Sequence, residues 1–269
     1  SFFMFTFFQD RDGKFQLTSL AESGFDPLSR SCRFMLTEEA HHMFVGESGV
    51  GRVVERSAQL SAEHDTLEID RHGGIPLAMI QKWINFHFSI CLDLFGQEKS
   101  TNAANFYSMG LKGRYNENKI EDDHLLNNDG FLVPDLQNGK VIMSEISALT
   151  AINERLRNDY RDDCQKGVDR WNRIIEKANV NFKLTLPHIA FNRNIGTFQD
   201  SNFDLEGNLI SAEEFAANKD TWMPNSKDRE FVKSLMQRVV EPGKIAGWIA
   251  PPSRGIQGKD IEYEYVILH

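Results

Sequence analysis

Apolar residues recur every three or four positions through most of the first 178 residues, a spacing typical of amphipathic helices. Glycines, and an aspartate that precedes a proline, interrupt this pattern and mark helix ends. The pattern therefore predicts a helix from the N-terminus to Asp12-Gly13 and further helices over 14–22, 27–46, 53–60 and 75–95.

The remainder of the chain has a more mixed pattern. The polar stretch 97–140 predicts pieces of helix at best, and the highly charged stretch 147–178 predicts one long helix that forms an exposed arm or a bundle edge. Alternation over 182–191 predicts a strand, which Pro187 confines to a sheet edge. The last predicted elements are a helix capped by Ser211, a helix from Asn225 or Ser226 to about 240, and a strand over 261–267.

These elements predict a mainly α fold in two parts. Residues 1–178 form a helical region, and residues 179–269 form a small mixed α/β tail that packs on it. The chain has 269 residues, of which 41% are hydrophobic, enough for one large core.

Composition excludes several functional classes. The net charge of −9 argues against a nucleic-acid-binding protein, which needs a basic face. The three cysteines form no CxxC pair, so neither a zinc ribbon nor a redox dithiol is predicted, and such sparse thiols fit a reducing cytoplasm. No apolar run reaches the roughly 20 residues of a membrane span. We therefore expect a cytoplasmic protein without nucleic-acid or membrane partners.

The N-terminus is unusually aromatic. Five of the first eight residues are phenylalanine, and the first residue is serine rather than methionine. A helix that is apolar on every side is normally buried. We therefore expect this chain to begin inside a helix of a longer protein, with an upstream segment missing.

One segment carries a pattern of metal ligands. Glu39 and His42 stand three residues apart, so on a helix their side chains share one face and can reach one ion. Glu-x-x-His pairs of this kind build di-iron sites in ferritin-like helix bundles. Glu38 and His41 have the same spacing about 100° around the helix, so the spacing alone leaves the ligand pair open. An exposed ion pair is the alternative.

Two further acidic groups are candidates. Asp10 closes the phenylalanine-rich helix and could be a third ligand, or a solvated helix end paired with Arg11 or Lys14. A second Glu-x-x-His, formed by Glu121 and His124, lies among asparagines with little apolar surface, and we interpret it as a polar loop.

Three segments resemble the oxygenase components of benzoyl-CoA 2,3-epoxidases: FTFFQDRDGK at 5–14, GFDPLSR at 24–30 and FMLTEEAHHMFVGE at 34–47. The resemblance is close over residues 1 to about 60 and continues, less closely, to the C-terminus, as the second part of a longer protein. It implies a ferritin-like monooxygenase with two iron ions, whose ligands in this chain are Asp10, Glu39 and His42. It also implies that three further ligands lie upstream of Ser1, so this chain alone is predicted to be inactive.

The resemblance further implies that benzoyl-CoA and O2 are the substrates and that the aromatic ring is converted to a 2,3-epoxide. Electrons would come from NADPH through a separate reductase that carries FAD and iron–sulfur clusters. A related di-iron hydroxylase acting on another acyl-CoA or aromatic compound, and a non-catalytic helical interaction module, are the alternatives. The sequence does not rank the cations that could bind CoA phosphates: Arg52, Arg56, Arg71, Lys112 and Arg114.

Overall fold

A computed structural model describes residues 1–113, 130–255 and 264–266. Its longer helices are α1 (Phe2–Ala21), α2 (Asp26–His64), α3 (Leu77–Leu94) and α5 (Ile152–Lys177), with the shorter α4 (Ala103–Ser108), α6 (Ala212–Trp222) and α7 (Ser226–Leu235). The strands are β1 (Gly130–Gln137), β2 (Lys140–Ser147), β3 (Asn202–Phe203), β4 (Leu209–Ile210), β5 (Lys244–Ala246) and β6 (Glu264–Val266). The predicted mainly α fold is confirmed.

The core lies between α1, α2, α3 and α5, which pack against one another. Its largest fully buried apolar side chains are aromatic and come from three of these helices: Phe7, Phe8, Phe15, Phe88, Tyr160 and Trp171. The charged helix predicted over 147–178 was expected to be an exposed arm or a bundle edge, and the first alternative, the exposed arm, is wrong. A narrow stripe of α5 is completely enclosed, and its few apolar residues are large enough to fill the core.

The predicted helix ends at Gly13 and Gly46 are also wrong, because α1 and α2 run through both glycines. At Gly46 the two helices touch: an added Cβ would lie 2.7 Å from the carbonyl carbon of Thr6. An added Cβ at Gly49 would overlap the ring of Phe3 in the same way. Packing thus outweighs the helix propensity of glycine, which is about 1 kcal/mol worse than that of alanine.

These contacts fix how the helical hairpin is aligned. Gly46 lies opposite Phe7 and Gly49 opposite Phe3, so α1 and α2 run antiparallel. Three residues after Phe7, the same alignment brings Asp10 opposite His42, and three residues later it brings Gly13 opposite Glu39. The glycine contact therefore determines which side chains of the two helices meet.

The predicted strand over 182–191 does not form. Side-chain amides take the place of a strand partner: Asn172 donates to the carbonyl of Leu184 at 2.9 Å and accepts from its N–H at 2.8 Å. Gln81 makes the equivalent pair of hydrogen bonds with Thr185. These bonds also hold the C-terminal tail on α3 and α5, and alternation in the sequence does not reveal them.

Residues 97–140 contain α4 and the first strand of an antiparallel hairpin, β1–β2, which was not predicted. Its turn, Asn138-Gly139, has positive φ at both residues, as a two-residue hairpin turn requires. In the tail, the predicted cap is confirmed, since Ser211 Oγ accepts the N–H of Glu214 at 3.1 Å. Asn225 opens α7 with a complete capping box, although this helix ends at Leu235.

Candidate metal centre

Helices α1 and α2 bring Asp10, Glu39 and His42 together. Each offers one ligand atom, and these atoms all lie within 4.8 Å of one another. The Nδ1 atom of His42 is 3.7 Å from Asp10 Oδ2 and 3.9 Å from Glu39 Oε2. The two carboxylates are half-buried, whereas 48% of the imidazole is exposed. Within the part of the chain that the structure describes, this is the one such group of three metal-ligating side chains.

The structure also separates the two possible ligand pairs. Glu38 and His41 are both exposed and do not belong to the group that contains Asp10. The pair that faces α1 is Glu39 and His42, the pair that the resemblance implies. Asp10 lies beside this pair rather than at a solvated helix end.

The spacing of the three groups fits an ion better than a set of hydrogen bonds. The two distances from His42 exceed the roughly 3.2 Å limit of a good hydrogen bond. Two ligands bound to one ion at about 2.1 Å can be at most about 4.2 Å apart, and both distances fall below that limit. Glu39 Oε2 is buried and has no hydrogen-bond partner among the described residues, so it is available to a cation.

The electrostatics of the centre point the same way. Burial raises the pKa of Asp10, and burial together with the charge of Asp10 raises the pKa of Glu39. Burial also raises the pKa of the neighbouring Asp12 to about 7. Arg11 does not compensate these charges, because its guanidinium pairs with Glu47 and Asp163, each at 3.0 Å. Among the described residues, no lysine or arginine pairs with Asp10 or Glu39, and a metal cation would provide that counter-charge.

Gly13 makes room for the carboxylate of Glu39, a role that sequence reasoning missed. An added Cβ would lie 3.3 Å from Glu39 Oε1 and 3.5 Å from its carboxyl carbon. Gly13 and Asp10 are three residues apart on α1, so they share the face that meets α2. The available signal was a glycine one turn after a candidate ligand, in a segment that stays helical.

The aromatic residues on either side of the ligand pair are uncovered. In α2, 77% of Phe34 and 69% of Phe44 are exposed. Phe2 and Phe5 on α1 are exposed as well. His42 thus lies at an open edge of the centre beside uncovered aromatic side chains. The second Glu-x-x-His, Glu121 and His124, lies outside the described residues.

Comparison with known proteins extends the resemblance. The chain is 52% identical over 269 residues to a protein named benzoyl-CoA oxygenase component B from Aromatoleum evansii. The matched residues make up 99% of this chain and 57% of that relative, so the chain spans little more than half of the relative's length. No protein-family model matches the chain. None of the described helices has the length and apolar character needed to cross a membrane. The resemblance seen in residues 1–60 is thus confirmed and covers nearly the whole chain.

Proposed function

We propose that this chain contributes half of a di-iron site to an oxygenase component that acts on benzoyl-CoA. The observation that carries the proposal is the group formed by Asp10, Glu39 and His42, in which neither carboxylate pairs with a lysine or arginine of the described residues. The 52% identity to a benzoyl-CoA oxygenase component supports the substrate. The proposed products are the 2,3-epoxide of the benzoyl ring and water.

Iron held in such a site would supply the electrons that activate O2. The protein contributes position and charge. Glu39 and His42 project from one helix at fixed spacing, and Asp10 faces them from α1, so the ligands are arranged before the ion arrives. The room beside Gly13 leaves the carboxylate of Glu39 free to change its orientation.

The proposal also includes partners. The word "component" in the relative's name supports a multi-protein system. We propose that a separate NADPH-dependent reductase, with FAD and iron–sulfur clusters, supplies the electrons. The remaining iron ligands would come from residues outside this chain, so the chain alone is expected to be inactive. Free buried thiols support the cytoplasm as its location.

Two alternatives make different predictions. A related hydroxylase would use the same iron ligands, so a panel of acyl-CoA substrates offered to the complete oxygenase separates it from a benzoyl-CoA enzyme. In a non-catalytic helical module, Asp10, Glu39 and His42 would be structural. Metal binding by this chain tests that alternative directly.

The experiment is an anaerobic titration of the chain with Fe(II), in which calorimetry measures binding. Wild type is expected to bind Fe(II) saturably but weakly, because it supplies only part of the ligand set. Glu39→Ala is expected to weaken that binding at least tenfold further, as the loss of a ligand should. Glu38→Ala is the matched control, because it removes the same chemical group one position away on an exposed face. Equal binding by wild type and Glu39→Ala would show that the metal proposal is wrong.

A further inference from the structure

A cavity lies near the C-terminal end of α1, and Asp10, Glu39 and His42 are not among the residues that line it. Its volume is about 460 Å³, and its walls include Lys99, Thr101, Asn102, Phe106 and Lys112. Pockets of about 300–1,000 Å³ are typical of sites for small molecules and cofactors. The cavity is therefore large enough for a ligand rather than for a few waters.

The charge of this cavity is opposite to that of the chain. No aspartate or glutamate is among the described residues that line it, although the chain has 39 acidic residues and a net charge of −9. Two lysines from different segments converge on it, Lys99 after α3 and Lys112 after α4. Across the described ranges, neither ammonium lies within 4 Å of a carboxylate. This combination favours an anionic ligand.

Lys112 is the more informative of the two lysines. It is half-buried, and burial lowers the pKa of its ammonium group, while the charge of Asp12 partly offsets that effect. A half-buried cation with no carboxylate of the described residues within 4 Å of it is unfavourable. A phosphate placed between Lys99 and Lys112 would supply the missing charge and accept charge-assisted hydrogen bonds.

The rest of the wall suits a nucleotide. Phe106 is 44% exposed and offers an aromatic surface on which a base can stack. The side chains of Thr101 and Asn102 make no hydrogen bond to any described residue, so both can bind a ligand. Phosphate-binding cations and a base-stacking ring therefore occur in one cavity.

The cavity and the metal centre are joined by α1. The segment that carries Lys112 is attached to the end of this helix, since Gly113 donates to the carbonyl of Ser19 at 2.9 Å. Asp10 and Ser19 are nine residues apart, about 13 Å along a helix. An acyl-CoA can span a distance of this order, because a long flexible arm lies between its acyl group and its phosphates.

We propose that this cavity binds the adenosine-phosphate end of the CoA thioester, with Lys99 and Lys112 on the phosphates and Phe106 against the adenine. This inference rests on the proposed function, because that function supplies the thioester. Two other candidate cations are already engaged: Arg52 donates to the carbonyl of Ala250 at 2.7 Å, and Arg56 donates to that of Gly247 at 3.0 Å.

The experiment titrates the chain with adenosine 3′,5′-bisphosphate by calorimetry, and separately with inorganic phosphate. Lys99→Met and Lys112→Met keep most of the apolar stem but remove the charge, and each is expected to weaken bisphosphate binding about tenfold. Lys177→Met, at the far end of α5, is the matched control and should bind as wild type does. Thermal unfolding of each variant checks that it is folded, and Lys112→Arg is expected to restore most of the affinity.

Phe106→Ala completes the test, since it should weaken bisphosphate binding and leave phosphate binding unchanged. If Phe106→Ala has no effect, the cavity binds anions only and the nucleotide assignment is overturned. If wild type does not bind bisphosphate, or binds it as well as both lysine variants do, the whole inference is overturned. The Fe(II) titration of the same preparations reports on the metal centre independently, so failure here does not depend on the fate of the proposed function.

Discussion

The chain encloses two clusters of acidic side chains, and they differ in what neutralises them. At the end of α3, Asp93, Glu98 and Glu154 are all buried, and guanidinium groups accompany them. Arg157 pairs with Glu154 and lies 3.3 Å from Glu98, while Arg193 lies 2.6 Å from Asp93. At the candidate metal centre, the carboxylates of Asp10 and Glu39 pair with no lysine or arginine of the described residues, and the imidazole of His42 lies beside them.

The difference shows that a buried carboxylate is not by itself a sign of a metal site. The cluster at the end of α3 has a structural role, because its acceptors also hold the loop that follows Ile189. Asp93 accepts from the backbone N–H of Asn194 at 2.9 Å, and Glu98 accepts from that of Thr197 at 2.8 Å. A missing counter-charge, combined with an imidazole at ligand distance, is what distinguishes the metal centre.

The largest effect is expected from breaking the compensated cluster. Arg157→Met leaves Glu98 and Glu154 buried without their shared cation, which should lower the free energy of unfolding by about 3–5 kcal/mol. Denaturation in urea measures this loss. Arg161→Met is the control on the same helix, since Arg161 is partly exposed and pairs with its neighbour Asp162; it should change stability by less than about 1 kcal/mol. Similar losses in both variants would contradict the comparison.

Metal should stabilise the other cluster. Co(II) at about 100 times its dissociation constant is expected to raise the free energy of unfolding by about 2.7 kcal/mol, because it binds the folded chain. His42→Ala should abolish this gain and His41→Ala should keep it, since the imidazole of His41 lies outside the ligand group. Thermal unfolding with and without Co(II) is the measurement. If Co(II) still stabilises His42→Ala, the metal binds at another site.

Neutralising one acid in each cluster should have opposite effects in metal-free protein. Burial raises the pKa of Glu154, but Glu154→Gln takes a charge away from Arg157, which is itself fully buried, and should therefore cost about 1–3 kcal/mol. Burial and repulsion by Asp10 raise the pKa of Glu39, which has no such cation among the described residues, so Glu39→Gln should stabilise the chain by less than about 1 kcal/mol. Urea denaturation in the presence of a chelator compares the two. Effects of the same sign would show that the clusters are equivalent.

The smallest expected effect comes from the glycine that faces the metal centre. Gly13→Ala should gain up to about 1 kcal/mol from helix propensity. Its new methyl group would push the carboxylate of Glu39 by a few tenths of an ångström, so metal binding should weaken about tenfold. Gly51→Ala is the control, because its methyl group would meet neighbours at 3.6 Å or more. If both variants bind metal with equal affinity, Gly13 has no role in the metal site.

Helices that bury a wide apolar face were predictable from the sequence, and so was the shared face of two candidate ligands. The apolar helix predicted over 75–95 forms as α3, and the spacing of Glu39 and His42 places both on one face. The choice between this pair and Glu38 with His41 needed the resemblance, because periodicity treats the two pairs alike. The structure shows which pair faces Asp10.

Features that depend on contacts between distant segments were not predictable. Gly13 and Gly46 were predicted to be helix ends because the low helix propensity of glycine is a local property. The packing that keeps both glycines helical comes from the opposite helix. The segment over 182–191 alternates like a strand but bonds to side-chain amides of Gln81 and Asn172. The turn at Asn138-Gly139 differs from these features, because an Asn-Gly pair is a local signal for a hairpin and the turn was predictable from the sequence.

The contact at Gly46 also bears on how this hairpin tolerates insertions. Because packing at Gly46 sets the alignment of α1 and α2, the link over 22–25 can change length without moving the ligands relative to one another. One residue inserted between Phe7 and Asp10, or between His42 and Gly46, would instead turn a ligand by about 100° away from its partners. Homologous chains should therefore vary in length at the link and keep an unchanged count of residues between the glycine contact and each ligand.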